Sequence, residues 1–191
     1  MKELVWTALR GARRQLEWKL DGLGEYDLRR PMTPTGTNLL GVMKHLAIEE
    51  YGYLGEVFGR PAPEQLACSS DGTVWESGDM WATPEEGSDY IKSFYRRSCD
   101  HADTTIETLD VDAAGLVPWW DQAQQQTTLG VVLLLMLSET QRHGGHVDVV
   151  RELIDGSVAD RETGSHDVTD EAWRQTYVAR LEVAAHAAAA R

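Results

Sequence analysis

Apolar side chains recur every three to four residues along four long stretches of the chain, which predicts α-helices. In the first, residues 2–23, Leu4, Val5, Ala8, Leu9, Ala12, Leu16, Leu20 and Leu23 share one face, opposite Arg10, Arg13, Arg14, Glu17 and Asp21. The second, residues 38–58, carries Leu39, Leu40, Val42, Met43, Leu46 and Leu54, with Thr37 as its expected N-cap and Gly59 and Pro61 past its end. The third, residues 83–109, opens on Thr83, Pro84 and Glu86, the pattern of a capping box with proline at the first helical position. The fourth, residues 127–156, is apolar almost all round from Val131 to Leu137, which predicts burial, and closes on Gly156. A fifth helix is expected over about residues 169–190, capped by Thr169, with Trp173, Tyr177, Leu181 and Ala184 placed to pack on the bundle. Between these lie a Pro- and Gly-containing loop (24–37), two long connections (59–82 and 110–126) and a polar stretch (157–168). No segment shows the alternation of a strand. The chain therefore reads as one all-α domain, a four-helix core over residues 2–156 with an added C-terminal helix.

The chemistry begins where the apolar run of the fourth helix turns polar. Glu139, His143 and His146 stand at i, i+4 and i+7, so they share one face within a roughly 60° arc. A carboxylate and imidazoles on a buried helix need partners, because unpaired buried charge is costly. A metal ion is one such partner. His45 on the second helix is the best further ligand, so His45, Glu139 and His143 form the candidate triad. Three protein ligands leave a coordination position open, as in catalytic zinc sites, and the donor set suits Zn²⁺ while also fitting Fe²⁺ or Ni²⁺. The alternative is that these are solvated residues near a helix end, joined by weak i, i+3 and i, i+4 pairs. Glu49, one turn beyond His45, and His146 are the candidates for moving protons, His146 being open also as a fourth ligand. Trp119 and Trp120 either wall a pocket over the metal or plug the end of the bundle. The 24-residue connection 59–82, with Trp75 and Trp81, is long enough to be functional.

Charge narrows the partners. The net charge is -13. An acidic surface repels phosphate backbones and anionic membranes, so nucleic-acid and membrane partners are not expected. The apolar run of the fourth helix is too short to span a bilayer, and the N-terminus lacks the apolar centre of a signal peptide, which together predict a cytoplasmic protein. Two cysteines, Cys68 and Cys99, without CxxC spacing read as unlinked thiols.

Four stretches resemble one known superfamily: GLGEYDLRRPMTPTGTNLLGVMKHLAIEEYGYLGEVFG, MWATPEE, VPWW and ETQRHGGHVDVVRELIDG. The chain resembles the DinB/YfiT-like helical metalloproteins, looks closest to their actinobacterial mini-circle-type branch, and is similar to the mycothiol-dependent maleylpyruvate isomerases. The resemblance implies an up-down-down-up four-helix bundle and a metal triad at His45, Glu139 and His143. Glutamate at 139 matches the isomerases, whereas many members have histidine there. His146 falls where many carry glutamine. It further implies a low-molecular-weight thiol such as mycothiol as co-substrate, a small electrophile as its partner, and a homodimer. Within that frame the leading expectation is a metal-dependent thiol S-transferase or isomerase, with Trp119 and Trp120 lining the cofactor's space. A metal-dependent hydrolase and a non-catalytic, stress-related binding bundle are the alternatives.

Overall fold

The periodic stretches all fold as helices, with ends set by local hydrogen bonding. The computed structural model of the chain describes residues 1–158 and 171–190. In order, its elements are α1 (Lys2–Leu20), α2 (Glu25–Arg29), α3 (Leu39–Tyr53), α4 (Ala67–Asp71), α5 (Ser88–Thr108), the short strands β1 (Ala114–Leu116) and β2 (Gln126–Thr128), α6 (Leu129–Asp155) and α7 (Glu171–Ala189). Contacts divide the chain into two compact units, residues 1–157 and 158–191.

In the first unit, α1, α3, α5 and α6 form a bundle whose directions follow from the polar contacts between helices. Lys2 Nζ donates to the carbonyls of Ile106 and Leu109, and Lys92 Nζ to that of Leu20, so α1 and α5 are antiparallel. Lys19 meets Asp148 while Met1 and Val5 share a groove with Gly130 and Leu134, so α1 and α6 run together. Leu16 and Leu20 cluster with Leu39 and Leu40, and Leu9 clusters with Leu54, which sets α3 against α1. Lys44 pairs with Glu86 ahead of α5, and Arg60 reaches Thr105 near its end, so α3 and α5 run together. The order is up, down, down, up. The parallel step from α3 to α5 requires a connection that travels the length of the bundle, which is why residues 54–87 are so long.

The core is two stacked apolar clusters, one around Leu39, Leu46, Phe94 and Val147 and the other around Leu9, Leu54, Ile106 and Met136. Between them lies a buried polar layer containing Arg13, Glu50, Thr140 and His143.

Several local expectations differ from the structure. The 24–37 loop contains α2, and Asn38 rather than Thr37 caps α3, its Oδ1 accepting from the Gly41 N–H at 2.7 Å. The Thr83–Glu86 pair makes half of its capping box, Thr83 N–H donating to Glu86 Oε2 at 2.8 Å, but the chain only turns there and α5 starts at Ser88. Glu86 is also held by Lys44, and the N-terminus of α5 is capped instead by Glu25 of α2, whose Oε1 accepts from Ser88 N and Oγ. The 110–126 connection closes as an antiparallel ribbon pairing Ala114 with Thr128 and Leu116 with Gln126. Three residues per strand are too few for alternation to show in the sequence.

The apolar run of α6 is not buried all round: Val131 and Leu134 are about half exposed, while Leu129, Val132, Leu133 and Met136 are buried and Leu135 and Leu137 are partly buried against the same cluster. Gly156 closes the helix as expected, at φ 76°. The cap expected at Thr169, and the loop from residue 159 onward, lie outside the described residues. In the second unit, the rings of Trp173 and Tyr177 on α7 stack on each other with centroids 5.1 Å apart. Both cysteines are free thiols, and burial pushes each above its ordinary pKa. No helix among the described residues is long and apolar enough to cross a membrane.

Candidate metal centre

Helix α6 runs 27 residues, about 40 Å at 1.5 Å per residue, and its inward stripe passes through the polar layer at Thr140 and His143. Glu139 and His143 are one turn apart, and His143 Nε2 lies 2.9 Å from Glu139 Oε1. Across the bundle α3 runs antiparallel and brings His45 to the same level. Its Nε2 lies 3.7 Å from Glu139 Oε1, and its ring sits edge-on to that of His143 with centroids 4.9 Å apart. One ligand atom from each of His45, Glu139 and His143 falls within 4.8 Å of the others. Three donors from two helices thus converge on one point.

A fourth residue, absent from the sequence reading, completes the arrangement. Asp79 Oδ2 accepts from His45 Nδ1 at 2.7 Å, and Asp79 is buried. A proton on Nδ1 leaves Nε2 with its lone pair turned toward Glu139 and His143, the carboxylate–histidine device that fixes a ligand's tautomer and orientation. Asp79 arrives there because the end of the 59–82 connection is pinned to α3. The buried Lys44 ammonium donates to the carbonyls of Gly78 and Trp81 and to Glu86. Asn38 Nδ2 donates to the carbonyl of Met80. Gly41 permits the approach: a Cβ there would stand 1.8 Å from the Met80 carbonyl oxygen. Only the length of the connection and its tryptophans hinted at this role; no periodicity singles out Asp79.

The electrostatics fit a cation. Burial pulls the His45 pKa down, but the hydrogen bond it donates to Asp79 and the carboxylates of Glu49, Asp79 and Glu139 outweigh it and hold the ring above its ordinary value. Burial and the nearby His45 push His143 below its ordinary value, toward the neutral form that a metal ligand requires. His143 Nδ1 is buried with no hydrogen-bond partner. Two imidazoles and a carboxylate drawn to one point fit a bound metal, and the cluster could hold one through His45, Glu139 and His143.

A cavity of about 530 Å³ opens beside the cluster, with His45, Asp79 and Glu49 on its wall. Burial pushes the Glu49 carboxyl above the usual carboxylate range, partly offset by His45. Trp119 lines this cavity; Trp120 does not. Both indole N–H groups donate to the Tyr53 hydroxyl, at 3.2 and 3.0 Å, so Trp120 braces the residue against which Trp119 packs. His146 is exposed and outside the cavity lining, its ring 5.4 Å from that of His143. Of the sequence candidates, His45, Glu49 and Trp119 line the cavity, Glu139 and His143 meet His45 beside it, and His146 and Trp120 stand outside the lining.

The bundle, with His45 on the second long helix and Glu139 and His143 one turn apart on the fourth, has the arrangement that the resemblance to the DinB/YfiT-like proteins implied. The family model of the mycothiol-S-transferases matches residues 4–156, and the chain belongs to that family. No curated protein matches the chain.

Proposed function

We propose that this protein is a metal-dependent enzyme that joins a low-molecular-weight thiol of the mycothiol type to a small electrophile. The observation that carries the reading is the convergence of His45, Glu139 and His143 within 4.8 Å at the edge of a cavity large enough for a small molecule. Two imidazoles and a carboxylate suit zinc, with iron or nickel compatible. A divalent ion there, when bound, would supply Lewis acidity sufficient to deprotonate a thiol at neutral pH. The chain's own residues set the conditions. Asp79 holds the His45 ring; Trp119 and Tyr53 exclude water along one wall; Glu49, facing the cavity, is the group placed to accept the thiol proton at its carboxylate. His146, on the outer side, is less well placed for that task.

The test begins with metal content in protein purified without chelator, compared with His45→Ala and His143→Ala. Bound metal is expected in the parent and loss in both variants. Thiol consumption is then followed with a neutral alkyl halide. Turnover should need both metal and thiol. Turnover that ignores the thiol would point to a hydrolase, and a protein with neither metal nor turnover would be a binding bundle.

A further inference from the structure

The cavity beside the triad has a charge that the transfer reading does not by itself specify. Four carboxylates line it, Glu49, Glu56, Glu64 and Asp79, and no lysine or arginine does. Two of the four are matched: Glu64 by the bidentate fork of Arg97 from outside the lining, and Asp79 by His45. Glu49 and Glu56 form no ion pair with a described residue. The rest of the wall mixes aromatic rings, among them Tyr51, Phe94 and Trp119, with aliphatic and neutral polar groups such as Ile48 and Gln65, and Trp75 stands exposed at the rim. Carboxylates facing partly desolvated space repel anions strongly, and aromatic faces attract planar rings and cations.

We infer that the cavity selects a neutral or cationic aromatic electrophile and rejects carboxylate-bearing ones, with Glu56 as a specificity-determining residue at its mouth. The inference rests on the transfer reading for its word electrophile, and on the lining alone for its charge preference. It separates this chain from an isomerase of dicarboxylates, whose substrate would need cations that this wall lacks. A divalent ion on the triad would place positive charge at one end only, where Glu139 already offsets part of it.

The experiment uses three probes with one ring system and three charges: 2-naphthylmethanol, 2-naphthylmethylammonium and 2-naphthoate. Binding to the full chain is measured by calorimetry at low salt, without thiol, with the metal left in and again after chelation. The neutral and cationic probes should bind roughly tenfold tighter than naphthoate, in both metal states. Glu56→Lys, a change at an exposed position, should bring naphthoate to within about threefold of the alcohol while moving the alcohol itself less than about twofold. Naphthoate binding as tightly as the alcohol in either metal state, an equal shift of all three probes in the variant, or binding by none of them would overturn the inference. The order can hold while thiol-dependent turnover is absent; then the charge preference stands and the transfer reading falls. Turnover accompanied by a preference for naphthoate would do the reverse.

Discussion

Glu49 and Glu50 are adjacent on α3 and face different sides of the bundle. Glu50 is fully buried, and both of its oxygens accept from the Arg13 guanidinium, at 2.8 and 2.7 Å; Arg13 in turn reaches Asp103 at 2.6 Å, which also accepts from Trp6 Nε1. Glu49 faces the cavity, forms no ion pair with a described residue, and stands one turn from His45. The two regions occupy the same level of the bundle and share its residue types. What differs is closure. Where the donors of a buried arginine are matched to carboxylates, the layer holds the fold together. Where carboxylates without a matching cation line a concave space, the layer can take a ligand.

That contrast can be broken from its structural side first. Glu50→Ala removes two of the three carboxylate contacts of the buried Arg13 guanidinium, leaving it only Asp103, and should cost about 3 kcal/mol of stability in urea denaturation. Glu49→Ala, which strands no cation, should cost less than about 1 kcal/mol. Equal losses would erase the distinction between the two sides. From the other side, zinc at about a hundredfold over its dissociation constant should stabilise the protein by about 2.7 kcal/mol in thermal unfolding, reversed by chelator. His143→Ala should abolish that response; a zinc effect that survives it would place the ion elsewhere.

Asp79→Asn sharpens the comparison, since it leaves all three ligands present and alters only the group that orients one of them. Metal affinity should fall about 10- to 100-fold by competition with a chromophoric chelator, with helical content unchanged. An unchanged affinity would reduce Asp79 to a loop anchor.

The smallest effect belongs to a surface control outside both layers. Hydrogen bonds from Ser88 and Arg29 lower the Glu25 pKa from 4.5 to about 2. Folding depresses this carboxyl, so its contribution is full above pH 4.5 and fades as the pH falls toward 2. Glu25→Gln should therefore cost about 1 kcal/mol or less at pH 7, mainly as a lost cap on α5, and the gap to the parent should close in acid. A gap that widens below pH 4 would refute the assignment.

The sequence by itself determined the helices of the bundle and the pairing of Glu139 with His143, because helical periodicity is local: residues one turn apart must share a face wherever the helix goes. It also pointed to His45, once the buried imidazole–carboxylate pair was seen to need a partner. Helix ends were less legible. Thr83 and Glu86 carry a start signal, yet α5 begins five residues later because Glu86 is held by Lys44 and Glu25 caps in its place. Only the tertiary structure decided which of two adjacent glutamates is matched and which is left facing a cavity, and only it brought Asp79 to His45. Both depend on the path of a connection held by Gly41, Lys44 and Asn38, contacts more than thirty residues apart in sequence, and no local pattern encodes a path fixed by packing at such range.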